Sequence, residues 1–223
     1  LTWNIESLGN QGSTDYDAVK TILLRIDADI VGLNEIDDVD VEDVRALAAE
    51  LGYDTLFVPE SNPFGDLRNI LMTRLPAENG RAHQAGNLSS DGGANDLTRL
   101  PVSLNLTQLD LTLISNHWKS GYDEPGEFRK CTDSIRTLQA ANVASPTGRF
   151  ILMGDVNHEV TEGAQSPVEW TSLPSGTPSS FRLGQDIADQ LSDGGIRNDP
   201  FALFADAGLS VVDAAQLDGR LAT

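Results

Sequence analysis

Four short apolar runs, far apart in the chain, each end in a polar group. Phe150-Ile151-Leu152-Met153 leads into Gly154-Asp155-Val156-Asn157-His158, and Leu1-Thr2-Trp3 leads into Asn4. Ile30-Val31-Gly32-Leu33 leads into Asn34-Glu35, and Leu111-Thr112-Leu113-Ile114 into Ser115-Asn116-His117-Trp118-Lys119-Ser120. Apolar runs of this length, stopped by Gly and polar residues, read as buried strands. An acid or amide at a strand's end stands where a hard cation or a phosphate can be held. One such run says little, because strands end in loops and loops are polar; four of the same form constrain the fold.

Strand-like runs at 1–5, 30–34, 53–58, 69–73, 100–106, 110–115 and 150–154 alternate with helical patterns. Tyr16, Val19, Ile22, Leu23 and Ile26 recur at spacings of three and four and predict a helix over 15–27. Val41, Val44, Leu47, Ala48 and Leu51 predict another over 40–51, which Gly52 ends as a left-handed cap. A third, over 128–145, carries Ile135, Leu138, Ala141 and Val143 and stops before Pro146. Pro, Gly, Asn, Ser and Asp cluster over 60–68, 86–96 and 162–184 as loops; loops so long belong at the rim of a site. Helical crossovers together with a tight turn at Thr107-Gln108 predict an α/β fold with mixed sheets.

In order along the chain, Trp3-Asn4-Ile5, Gly32-Leu33-Asn34-Glu35-Ile36, Arg68 to Arg74, Arg99-Leu100-Pro101-Val102, Asn116-His117-Trp118-Lys119-Ser120 and Gly154-Asp155-Val156-Asn157 resemble the endonuclease/exonuclease/phosphatase superfamily of DNase I-like metal-dependent phosphoesterases. The resemblance covers roughly residues 1 to 157, and its wording is most similar to that of secreted bacterial nucleases. It implies a four-layer α/β/β/α sandwich, two packed mixed sheets flanked by helices, with the site at one end of the sheets. It implies a single domain over 1–223, expected to be shortened at its start, because the chain opens inside a strand, and at its end, where the last strands of the family are not matched.

The resemblance also implies roles. Asn4 and Glu35 are the metal pair for Mg2+ (or Mn2+ or Ca2+). Asp155 orients or deprotonates the attacking water, Asn157 binds a phosphate oxygen or that water, and His117 donates to the phosphate or the leaving group, a task suited to imidazole. Asn69, Arg99, Asn116 and Lys119 support the His or the substrate. From the residues alone, Glu35 is one more acid beside Asp37, Asp38 and Asp40, Lys119 a solvated charge, Arg99 a partner for one of many carboxylates, and His117 a structural His. His158 reads as a loop residue. Members of this superfamily finish with an Asp-His pair on a late strand, which the three histidines here (His83, His117, His158) do not supply. Loss of that pair leaves two accounts, truncation after the Asp206 to Asp213 stretch or a degenerate binder.

The expected activity is phosphodiester hydrolysis, by a nuclease acting on nucleic acid. A phosphomonoesterase or phospholipase C-type hydrolase for sugar phosphate or sphingomyelin, and a non-catalytic binding module, stand as alternatives. The 34 acids and 15 bases give a net charge of −19, which repels a polyanion and makes activity on one depend on divalent cation. Cys131, alone, makes no intrachain disulfide and no cysteine zinc site, and reads as a buried helical residue. No apolar run approaches the length of a membrane span. A monomer in an extracellular or periplasmic setting is expected.

Overall fold

Each of the four apolar runs becomes a strand, and the strands divide between two sheets. The computed structural model describes residues 1–60, 65–158 and 169–212. In chain order the elements are β1 (Thr2–Asn4), α1 (Thr14–Ile26), β2 (Ile30–Ile36), α2 (Val41–Glu50), β3 (Thr55–Phe57), β4 (Arg68–Thr73), β5 (Ala77–Ala82), α3 (Ala85–Leu88), β6 (Val102–Leu106), β7 (Leu111–His117), α4 (Glu124–Ala144), β8 (Phe150–Asp155), β9 (Glu169–Trp170), α5 (Gln185–Asp193), β10 (Ile196–Arg197) and α6 (Pro200–Asp206). One sheet runs β1-β2-β4-β3, the other β5-β6-β7-β8, and β9 pairs with β10. Two mixed four-stranded sheets flanked by helices make the DNase I-like α/β sandwich.

Side-chain alternation sorts the layers. Ile70 and Met72 of β4 join Tyr16, Val19 and Leu23 of α1 and Val44, Leu47 and Ala48 of α2 in one core. Leu71, on the opposite face, packs with Val102, Leu104, Leu106 and Leu113 between the sheets. Phe128, Cys131 and Ile135 of α4 face outward, against Trp170, Phe181, Ile187, Leu191 and Ile196. Burial pushes the Cys131 thiol far above its usual range.

Ser13 caps α1 by accepting from the Tyr16 N–H, and Asp123 caps α4 by accepting from that of Gly126. Gly52, at φ 73°, turns the chain after α2. The third helix begins at Glu124 instead of 128, because Asp123 and Pro125 start a helix that apolar periodicity does not mark. Its Val143 is exposed rather than packed. β5, with the sequence Ala-Glu-Asn-Gly-Arg-Ala and a register shift between Glu78 and Arg81, has no apolar alternation and is absent from the strand-like runs of the sequence; pairing with β6 makes it a strand. The expected loop over 162–184 contains β9, and 61–64, 162–168 and Asp213 lie outside the described residues. No helix among the described residues is long and apolar enough to cross a membrane.

Candidate active site

Two parallel pairs place four strand ends together. β1 runs parallel to β2 with Asn4 opposite Asn34, and β7 runs parallel to β8 with His117 opposite Asp155. β1 packs against β8 across the sandwich, so the ends of both pairs meet at one seam. There Asn4 Nδ2 donates to Asp155 Oδ2 at 3.0 Å, and His117 Nε2 lies 3.5 Å from Glu35 Oε1 and 3.9 Å from Asp155 Oδ2. Residues 151 positions apart are thus in direct contact.

The backbone is bent to achieve this. By strict alternation Glu35 would share the helix-facing side of β2 with Val31 and Leu33. A bulge between Leu33 and Ile36, with Glu35 at φ 64°, returns Ile36 to the helical core and aims the carboxylate across the seam. At Gly154, φ 135°, an added Cβ would lie 1.8 Å from the Asn116 carbonyl oxygen, so only glycine lets β8 approach β7 here.

Asn34 fastens the seam, although its sequence context marks it only as the neighbour of Glu35. Fully buried, it donates to Asn69 Oδ1 at 2.8 Å and the Asn116 carbonyl at 3.1 Å and accepts from the Asp155 N–H at 2.9 Å. One side chain therefore ties three strands of two sheets to the backbone of the acid. The available signal was its place beside Glu35 at the end of an apolar run.

Of the other expected residues, Asn69 is buried and donates to the Leu100 carbonyl at 2.8 Å, which anchors the segment carrying Arg99. Asn116 is buried too; in the amide orientation that satisfies its neighbours, Nδ2 donates to the Met153 carbonyl at 3.0 Å and Oδ1 accepts from Trp118 Nε1 at 3.2 Å. It braces β7 and β8 from inside. Asn157, at φ 47°, donates Nδ2 to the Trp118 carbonyl and its own N–H to Asp155 Oδ1, both at 2.9 Å. Arg99 and Lys119 line an open pocket of about 190 Å3 together with His117, Ser120 and Arg129.

Neither further histidine joins the cluster. His83 Nε2 is 2.8 Å from Ser103 Oγ, in the body of the second sheet. His158 packs on the Phe201 ring, 5.5 Å between centroids, and lies 4.0 Å from Glu127.

Burial lowers the His117 pKa from the ordinary 6.5; Asp155 and Glu35 oppose this and Arg99 adds to it. The ring is therefore neutral at neutral pH, able to donate from one nitrogen and accept at the other. Burial likewise lowers Arg99 from its ordinary range, with Glu35 holding it up.

No group of three His, Cys, Asp or Glu spaced to hold a metal occurs among the described residues. The donor set still fits a hard cation, because the Glu35 and Asp155 carboxylates and the Asn4 amide are oxygen ligands. Mg2+ takes one or two carboxylates and keeps waters for a phosphate to displace. Among the described residues Asn4 Oδ1 accepts only the Glu6 N–H, at 3.1 Å, and retains a lone pair.

The family model described as Endonuclease/Exonuclease/phosphatase family matches residues 1–178. Similar solved structures include ANGEL2, a 2′,3′-cyclic phosphatase (15% identity, TM-score 0.54, 84% of this chain and 55% of that one). TDP2 from C. elegans (19%, 0.51, 78% and 50%) and D. rerio TDP2 complexed with a single-strand DNA product (17%, 0.51, 78% and 65%) are also similar. The chain thus spans between half and two thirds of the length of these three. No curated protein matches the sequence.

Proposed function

Because the chain belongs to the endonuclease/exonuclease/phosphatase family of phosphoester hydrolases, we propose that it hydrolyses phosphodiesters with the help of a divalent cation, Mg2+, Mn2+ or Ca2+, and that nucleic acid supplies them. The observation that carries this reading is the meeting of Asn4, Glu35, His117 and Asp155 at the ends of four strands from two sheets, linked by contacts of 3.0 Å (Asn4 to Asp155), 3.5 Å (His117 to Glu35) and 3.9 Å (His117 to Asp155). Packing alone gives no reason to aim two carboxylates and an imidazole at one point.

Glu35 and the Asn4 amide oxygen would hold the cation, which when bound offsets phosphate charge and supplies Lewis-acid polarisation. Asp155 accepts from Asn4 Nδ2 and the Asn157 N–H, which fix its plane and leave lone pairs for an attacking water. His117, neutral and close to both carboxylates, donates from Nε2 to a phosphate oxygen or the departing oxygen. The second amide hydrogen of Asn157 is available to the phosphate while the first holds Trp118. A net charge of −19 makes binding of a polyanion depend on the cation and on local arginines.

Asp155→Ala should lower hydrolysis by about 10²- to 10⁴-fold, measured as acid-soluble nucleotide released from DNA with Mg2+ or Mn2+ and again with EDTA. A parent protein without metal-dependent hydrolysis of any phosphoester would overturn the reading. Retained rates in both Asp155→Ala and His117→Ala would remove these residues from it. Preference for a phosphomonoester or a phospholipid head group would keep the chemistry and change the substrate.

A further inference from the structure

The pocket beside His117 is walled by cations in a chain that has few. Lys20, Arg68, Arg74 and Arg136 each hold a carboxylate, whereas among the described residues the partners of Lys119 Nζ and Arg129 Nη2 are neutral oxygens, the Ser120 carbonyl and the Thr98 hydroxyl. Arg129 donates Nη2 to Thr98 Oγ1 at 3.2 Å and stacks over Phe181 at 5.6 Å. These contacts fix the planar guanidinium of a residue that lines the pocket.

One buried acid fixes the backbone beside two of these cations. Asp133 Oδ1 accepts the Thr98 N–H at 2.9 Å, and Oδ2 accepts that of Lys119 at 2.8 Å. It thereby pins the segments that carry Arg99 and Lys119, and it stands one helical turn from Arg129 on α4. The same carboxylate is fully buried and turned away from solvent. At about 190 Å3 the pocket far exceeds the roughly 10–15 Å3 that a single water needs. His117 is one of its lining residues, so the space adjoins the seam where a phosphate would be attacked.

We propose that this pocket is a subsite for a second phosphate of the substrate, next along the chain to the phosphate under attack, gripped by Arg129 with Arg99 and Lys119. This deepens the phosphodiesterase reading and rests on it: the substrate class becomes phosphodiesters that carry a neighbouring phosphate, as every internal nucleotide does. A planar guanidinium meets phosphate oxygens bidentately, and Lys119 and the Ser120 hydroxyl add single donors.

Calorimetric titration of the parent protein in Mg2+ with thymidine 5′-monophosphate and with thymidine 3′,5′-bisphosphate tests this. The bisphosphate should bind at least about tenfold more tightly, as charge-assisted hydrogen bonds imply. Arg129→Gln should reduce that preference about tenfold, and Lys119→Gln by less. Equal affinities in the parent, or a preference unchanged in both variants, would overturn the subsite. If Arg129→Gln does not fold, as thermal unfolding reveals, Lys119→Gln alone decides. Turnover of the 4-nitrophenyl ester of thymidine 5′-phosphate separates the two readings. No turnover with the binding preference intact removes the hydrolase and keeps the subsite; turnover without the preference does the reverse.

Discussion

The two sheets share one layout, a parallel pair at one edge followed by two antiparallel pairings, but their helices cover them in opposite ways. Over β1-β2-β4-β3, α1 and α2 lay down Tyr16, Val19, Leu23, Val44 and Leu47 as an apolar layer. Over β5-β6-β7-β8, α4 buries Lys130, Thr132, Asp133, Ser134, Arg136 and Thr137, Arg136 reaching Asp186 of α5, and it turns Phe128, Cys131 and Ile135 outward to α5 and the β9-β10 pair. The buried polar groups have named partners. Asp133 holds two site segments, Thr137 Oγ1 accepts from Trp118 Nε1 at 3.1 Å, and Arg136 bridges Asp96 and Asp186. The first cover stabilises a sheet; the second also positions the loops that carry the candidate site.

Breaking the polar cover should have the largest effect on stability. Arg136 grips Asp96 with Nε and Nη2 at 2.9 and 2.7 Å, and both side chains are fully buried. Arg136→Leu strands that carboxylate and should destabilise by about 3–5 kcal/mol, read by urea unfolding. A loss below about 1 kcal/mol would mean that α4 is held by its outward apolar face instead.

In the apolar cover the corresponding test is Leu47→Ala. It removes a buried side chain from the α1–α2 core and should cost about 2–5 kcal/mol, with no change in turnover well below the unfolding temperature. If turnover falls with stability, the covers are not divided in the way their contacts indicate.

Titration sharpens the contrast, because two strongly shifted buried groups lie on the polar side. Burial, helped by Arg81, pushes His83 down to about 4. The unfolded chain therefore takes up this proton first, and the stability it contributes is full above about 6.5 and lost as pH falls toward 4. Burial pushes Asp133 up to about 7 against the two amides that favour its charged form. The folded chain keeps a proton that the unfolded chain releases, so this contribution is full below about 3.8 and lost as pH rises toward 7. Across roughly pH 4 to 6.5 the two slopes oppose each other. His83→Gln should steepen the loss of stability on raising pH, and Asp133→Asn the loss on lowering it, each by roughly 3 kcal/mol across the window. Denaturant unfolding at several pH values would show this; parallel profiles for parent and variants would refute it.

The same division explains what the sequence revealed. α1 and α2 declare themselves through apolar spacing, and the strand ends through apolar runs that stop at Asn4, Glu35, His117 and Asp155. Because α4 buries many polar residues, its apolar spacing describes little of its packing: of Ile135, Leu138, Ala141 and Val143 only Ile135 joins the outward layer, and Asp133 and Arg136 look like surface charges until their partners 14 to 50 positions away are known. Asn34 is hidden for a related reason, since its bonds reach across 35 to 121 positions. β5 has no pattern of its own, and the bulge that aims Glu35 shows only in the register of β2 against β4.

The smallest effect belongs to the ion pair of the apolar cover. Lys20 Nζ on α1 meets Glu50 Oε2 on α2 at 2.6 Å, and Gln11 Nε2 donates to the same carboxylate at 2.7 Å. Both charged side chains remain about one-third exposed, 35% and 31%. Water screens such a pair and its long side chains lose freedom in forming it, so Lys20→Ala should cost no more than about 1 kcal/mol, shrinking further in high salt. A loss matching that of Arg136→Leu, or one that persists in molar salt, would show that the first cover also depends on its charges, and the contrast between the two helical layers would fail at its simplest point.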